Sequence, residues 1–158
     1  YHHFPTKHAV FMEILESWLK LLDVQMLSTR KGAQDIPQAL LHMAEIMQQI
    51  FEQARGQLPM FLEFWTRASR DPQVWSMVVS PYRHYLEFFQ GMIEQGMNEG
   101  SLKVGDSGVA ARAVVALAVG LLLQGMFDPG KADQGQVAQQ SMRALLNGLA
   151  KNKQDVQG

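Results

Sequence analysis

At 158 residues, with 47% apolar and 18% charged residues, the chain has the length and composition of one globular domain with a real core, not of a disordered segment. A formal charge of −1 excludes a chain-wide basic surface, so any nucleic-acid contact is confined to a local patch or to residues outside this stretch. The absence of cysteine excludes a disulfide framework, a thiolate metal site and a cysteine nucleophile.

Proline and glycine fall mostly between periodic segments and period-2 alternation is scarce, which predicts an all-α fold, a bundle of about six helices. The first helix runs from Lys7 to about Thr29 with Thr6 as its N-cap, and Phe11, Ile14, Leu15, Trp18 and Leu22 form its apolar face. Asp35-Ile36-Pro37 announces the second, whose stripe is Leu40, Met43, Met47, Ile50, Phe51 and Ala54, closed by Gly56. Leu58-Pro59 starts a short third helix crowded with Phe61, Phe64 and Trp65. Asp71-Pro72 repeats the cap-plus-proline start for a long fourth helix, to about Asn98, along which Trp75, Val78, Val79, Tyr82, Leu86, Phe89, Ile93 and Met97 recur. Pro81 inside it predicts a kink.

Asp106 caps a fifth helix, from about Ser107 to Phe127, that is apolar almost all round and therefore needs cover on two sides. Its uninterrupted apolar stretch, 113–123, falls well short of the roughly 20 residues that span a bilayer, so it reads as a buried helix and no membrane is implied. Asp128-Pro129-Gly130 stops it. A last helix follows from about Gln134 to Ala150, with Ala138, Met142, Leu145, Leu146 and Leu149 on one side, and then a frayed tail.

Catalytic and metal chemistry find little support in these residues. His2, His3 and His8 lack the spacing and the helper carboxylates of a converging metal site. No Glu-x-x-His pair, phosphate-cradling loop or nucleophile elbow occurs, so neither an enzyme nor a cofactor is indicated. The conspicuous feature is aromatic: Phe61, Phe64, Trp65, Trp75, Tyr82, Tyr85, Phe88 and Phe89 crowd the third and fourth helices, with Met43, Met47 and Met77 able to face them. By composition alone such a stripe is core packing; the same composition also suits a small-molecule pocket, with Tyr82, Tyr85 and Gln124 as polar partners.

The opening, YHHFPTKHAVF, resembles the end of the DNA-binding domain in TetR-family transcriptional repressors, through Tyr1, His3, Phe4, Pro5, Thr6, Lys7, Val10 and Phe11. His8 departs from the pattern, which usually has an acid there. FLEFWTRASRDPQVW is similar to the family's approach to its long central helix, and IEQGMNEGSL to that helix's end. The helix ending LLLQGMF, then DPG and RALLNGLA, resembles its dimerising pair.

The resemblance implies that residues 1–6 end a helix-turn-helix domain, whose upstream part holds about 40 residues, that 7–150 form a ligand-binding and dimerisation domain, and that 151–158 are a flexible tail. It implies a cytoplasmic, effector-responsive repressor: a homodimer that binds operator DNA and a small hydrophobic or aromatic effector. Tyr1, His3, Thr6 and Lys7 would contact the DNA backbone. Met43, Met47, Phe61, Trp65, Trp75, Val78, Tyr82, Tyr85, Phe89, Leu117 and Gln124 would hold the ligand. Gly120, Leu121, Gly125, Met142, Leu145 and Leu149 would form the dimer interface. Without the resemblance, the alternative is a helical hydrophobic-ligand-binding protein with no DNA role.

Overall fold

Side-chain caps set where the helices begin in the computed structural model, which describes residues 6–128, 130 and 134–149 apart from the side chains of His8, Phe51, Gln53, Ala54, Arg55, Leu58, Phe61 and Gln134. Helix α1 (Lys7–Gly32) starts where Thr6 Oγ1 accepts the Ala9 amide at 3.1 Å. Helix α2 (Ile36–Ala54) starts where Asp35 Oδ1 accepts the Gln38 amide at 2.9 Å. A single 3-10 turn, Arg55–Gln57, leads directly into α3 (Leu58–Ala68). The Asp71 carboxylate accepts the Gln73 amide at 3.0 Å to open α4 (Pro72–Glu99), and Asp106 accepts the Val109 amide at 3.1 Å to open α5 (Ser107–Phe127). Helix α6 (Gln134–Leu149) completes the bundle. These caps satisfy amide donors that a helix cannot satisfy itself. The first helix outruns its expected end because Arg30 and Lys31 occupy its last turn, where cations complement the dipole.

Pro81 lies within α4, and the helix continues on both sides of it. Position 81 has no amide to offer the Met77 carbonyl one turn back. At the other end α4 closes on Gly100, which takes a left-handed φ of 86°. Ser101 and Leu102 then turn back, both donating to the Gly96 carbonyl, at 3.0 and 3.1 Å.

Among the described residues two apolar clusters form. The main one centres on α2 and α4, through Leu40, Met43, Met92 and Ile93, with Val114 from α5, Met142 and Leu146 from α6 and Leu102 from the preceding loop. The smaller joins α1, α3 and the start of α4 through Phe11, Phe64, Ala68 and Val74. Among the described residues no polar or charged side chain is buried. Helix α5 packs along α4, yet only Ala110, Ala111 and Val114 of its 21 residues are buried within the chain. By length and composition alone α5 could cross a bilayer. Its capped start and its packing on α4 are those of a bundle helix.

The tight crossing of α4 over the loop yields a test. A Cβ on Gly96 would lie 2.5 Å from Leu102 Cδ1 and 3.2 Å from Ile36 Cβ, both in filled core, whereas one on Gly91 meets nothing within 4 Å. Gly96→Ala should therefore lower stability by about 1–3 kcal/mol, and Gly91→Ala should raise it by up to about 1 kcal/mol. Urea unfolding followed by circular dichroism reads both.

Candidate functional site

Between the two clusters lies a cavity of about 720 Å³. Its volume falls within the roughly 300–1,000 Å³ typical of small-molecule sites. Among the described residues five helices wall it: α1 through Trp18 and Leu22, α2 through Met47 and Ile50, α3 through Phe64 and Trp65, α4 through Trp75 to Phe89, and α5 through Val115, Ala118, Val119 and Leu122. The chain has three tryptophans, and all three, Trp18, Trp65 and Trp75, line this one space. Trp75 and Tyr82 are about half exposed, which sets them at its opening. Pro81 is part of the wall.

Polar groups here are few. The Tyr85 hydroxyl donates to Asp23 Oδ1 at 3.1 Å and lies 3.4 Å from the Leu19 carbonyl, tying α4 to α1 across the cavity wall. Burial, and then the Asp23 carboxylate beside it, hold the Tyr85 phenol well above the usual tyrosine value, so it stays a neutral donor. His84 Nε2 approaches the same carboxylate at 3.5 Å. Arg83 is the only charged side chain that lines the cavity among the described residues.

A second tie holds the front of α1. Lys7 Nζ donates to both Glu63 oxygens, at 2.8 and 3.0 Å, and that bond, then the ammonium charge, holds the Glu63 carboxyl below its usual range. One turn further on, the Phe11 and Phe64 rings stack with centroids 4.1 Å apart. Phe64 thus touches the cavity on one side and α1 on the other.

Comparison with known proteins agrees with this architecture. Residues 38–150 match the family model for the C-terminal domain of BetI-type transcriptional repressors, a TetR group. The chain belongs to the TetR family of transcriptional regulators. A putative transcriptional regulator from Saccharomonospora viridis, solved in complex with choline, has a TM-score of 0.77 at 17% identity, over 95% of this chain and 78% of that one. The ketosteroid transcriptional regulator KstR2 of Mycobacterium tuberculosis has a TM-score of 0.78 at 19% identity, over 96% and 77%. A TetR/AcrR-family regulator from Thermobifida fusca has a TM-score of 0.68 at 20% identity, over 88% and 72%. These likenesses are of fold. No curated protein sequence matches the chain. Family and fold are those of regulators, not of enzymes.

Within this TetR-family domain the residues expected at a ligand separate into two groups. Met47, Trp65, Trp75, Val78, Tyr82, Tyr85 and Phe89 line the cavity. Met43 does not: at 1% exposure it is locked in the main core, because the first half of α2 packs against α4 and α6 and only the second half reaches the cavity. Leu117 packs on that core, and Gln124 is exposed; both lie off the α5 face that carries residues 115, 118, 119 and 122. The Phe61 side chain lies outside the described residues. Sequence reading missed the α1 wall, Trp18 and Leu22 above all, and Arg83. The amphipathic face of α1 was visible, but its spacing does not tell a packed face from one that borders a void.

The residues expected at a dimer interface are likewise divided. Met142 is 5% exposed within the chain's own core, so it belongs to the α2–α6 packing and is not offered to a second copy. Leu145 and Leu149 lean on the same core. Gly120, Leu121 and Gly125 are only partly covered, and a Cβ on Gly120 would meet open space. Of the residues expected at the DNA backbone, Tyr1 and His3 lie outside the described residues, as does the tail 151–158. Thr6 serves as the α1 cap, and Lys7 is held by Glu63.

The Tyr85 hydroxyl gives a pH test. Its raised pKa leaves its stabilisation intact below the unfolded tyrosine value of about 10, and removes it as pH climbs further, since the unfolded chain ionises first. Tyr85→Phe should cost about 1 kcal/mol at pH 8 and should unfold with a shallower alkaline decline than the parent. Urea midpoints between pH 8 and 11 measure both.

Proposed function

We propose that this TetR-family domain is the sensing half of an effector-responsive, cytoplasmic transcriptional repressor, acting as a homodimer on operator DNA. One observation carries the reading: a cavity of about 720 Å³, walled by every tryptophan of the chain, has as one wall the helix that leads back to the chain's front. Residues 7–150 are the ligand-binding and dimerising domain. Residues 1–6 join it to the family's helix-turn-helix, with Tyr1, His3, Thr6 and Lys7 near the DNA backbone. The choline held by the similar Saccharomonospora viridis regulator supports a ligand-controlled role, without fixing the ligand here.

The coupling is mechanical. Helix α1 has 26 residues, so it is about 39 Å long. Its middle, Leu15 to Met26, borders the cavity, and its front is gripped by α3 through Glu63 and Phe64. An effector that presses on Trp18 or turns Phe64 displaces that front. In a dimer the displacement changes the spacing of two DNA-reading heads, which operator geometry fixes. Such coupling is typically about 1–3 kcal/mol and reciprocal, so operator DNA weakens effector binding by the same factor. For dimerisation, the support is α5: its face away from the cavity carries Val109, Ala116 and Phe127, exposed, and Gly120, partly covered, all small or apolar. A two-fold pair of α5 and α6 helices would cover it.

Two measurements test the reading. N-phenyl-1-naphthylamine, a neutral apolar dye, should brighten on entering the cavity and quench the tryptophans, and Ala118→Trp should weaken it about tenfold by filling the space. Dye that binds neither form sinks the cavity reading. Gly120→Glu should convert dimers to monomers in sedimentation velocity, and in the gene's full-length product should abolish the gel shift of its own upstream DNA. A parent protein that sediments as a monomer at all concentrations sinks the repressor reading.

A further inference from the structure

Arg83 borders two spaces at once. It lines the apolar cavity, and it also lines a neighbouring cleft of about 390 Å³ between α4 and the start of α5. The cleft is polar where the cavity is not: Arg112, Glu87, Gln90 and Asp106 surround it with Arg83. Two of those groups are already engaged. Asp106 accepts the Val109 amide, and the Gln90 amide donates towards Glu94 and Ser107. The two guanidiniums are not: among the described residues neither Arg83 nor Arg112 makes a hydrogen bond or ion pair. Glu87 sits one turn from Arg83 on α4 without pairing with it.

We infer that the effector is an amphipathic anion, an apolar body in the cavity with a carboxylate at its end held by the Arg83 guanidinium, at the junction with the cleft that Arg112 shares. This deepens the ligand-controlled reading above and rests on it. The chemistry that selects the anion is local. A guanidinium presents a planar fork of donors that matches a carboxylate, and it remains charged at every physiological pH. Arg83 is itself exposed, so the apolar wall beside it strengthens that pairing over water only on the cavity side. A cation is disfavoured at the same place. Three tryptophans offer it ring faces, but the described lining of the cavity contains no carboxylate to balance it, Glu87 and Asp106 lying in the cleft, and Arg83 repels it. A ligand as small as choline would also leave most of the cavity empty, and unfilled apolar walls forfeit contact energy.

Three probes of one chain length separate the outcomes: dodecanoate, dodecanol and dodecyltrimethylammonium, each below its micellar concentration, measured by displacement of N-phenyl-1-naphthylamine from the protein. Dodecanoate should displace the dye at about tenfold lower concentration than dodecanol, as a charge-assisted hydrogen bond warrants, and the trimethylammonium should be weakest. Arg83→Gln should erase the difference between acid and alcohol, and Arg83→Lys should restore part of it; Arg112→Gln should reduce it less. Thermal melts of each variant establish that the fold is kept. If acid and alcohol displace the dye equally from the parent, or if the cation displaces it best, the anion assignment is overturned while the cavity reading stands. If the acid preference survives Arg83→Gln in a folded variant, the assignment to Arg83 is overturned. If the dye never enters, both readings fall together.

Discussion

A 21-residue helix with one charged side chain, Arg112, between its cap and its end has to be kept from water on nearly every side. The chain covers α5 fully only at its first turns, where Ala110, Ala111 and Val114 press against α4. Beyond them one face closes the cavity and the other looks outward. The same excess of apolar surface therefore roofs the cavity and supplies the face proposed for a second copy. A helix with a polar outer stripe would satisfy the monomer better and would leave nothing for a partner to bury.

Helix α1 answers to a different constraint, because the proposed mechanism needs it held and yet movable. It is held at both ends. Lys7 and Phe11 are tied to α3, and Asp23 and Arg30 to α4, the latter through Gln95 at 2.6 Å and over the Phe88 ring at 5.9 Å. Between the ties, Leu15 to Leu22 faces the cavity. It is a beam tied towards both ends whose middle borders the cavity, where the proposed effector would act, with one further contact there from the Tyr85 hydroxyl to the Leu19 carbonyl. Exposed ion pairs such as Lys7–Glu63 contribute little to overall stability, so the front tie can be remade in a new position at small cost.

Much of this was legible in the sequence, for identifiable reasons. The caps at Thr6, Asp71 and Asp106 could be named in advance because a short acceptor before an apolar-periodic run has few other uses, and each accepts the expected amide. The aromatic crowding of the third and fourth helices identified the neighbourhood of the cavity. Its individual walls were harder to read. Residues such as Met43 and Met47 share a helical face and differ only in depth along α2, which periodicity does not encode. On α5 the difficulty was worse. A helix apolar all round has no phase, so nothing in the pattern preferred residues 115, 118 and 122 to Leu117 and Gln124. Arg83 went unnoticed because an arginine on a long helix has the appearance of solvated surface.

The main core holds methionines at four positions, Met26, Met43, Met92 and Met142, and no buried polar side chain among the described residues. Within that core no hydrogen-bonded side-chain pair among the described residues dictates one register, and thioether side chains refit when their neighbours change volume. Substitutions along its apolar walls can then reshape the cavity a methyl group at a time. Under the proposed role, such a chamber can change what it accepts while the bundle persists.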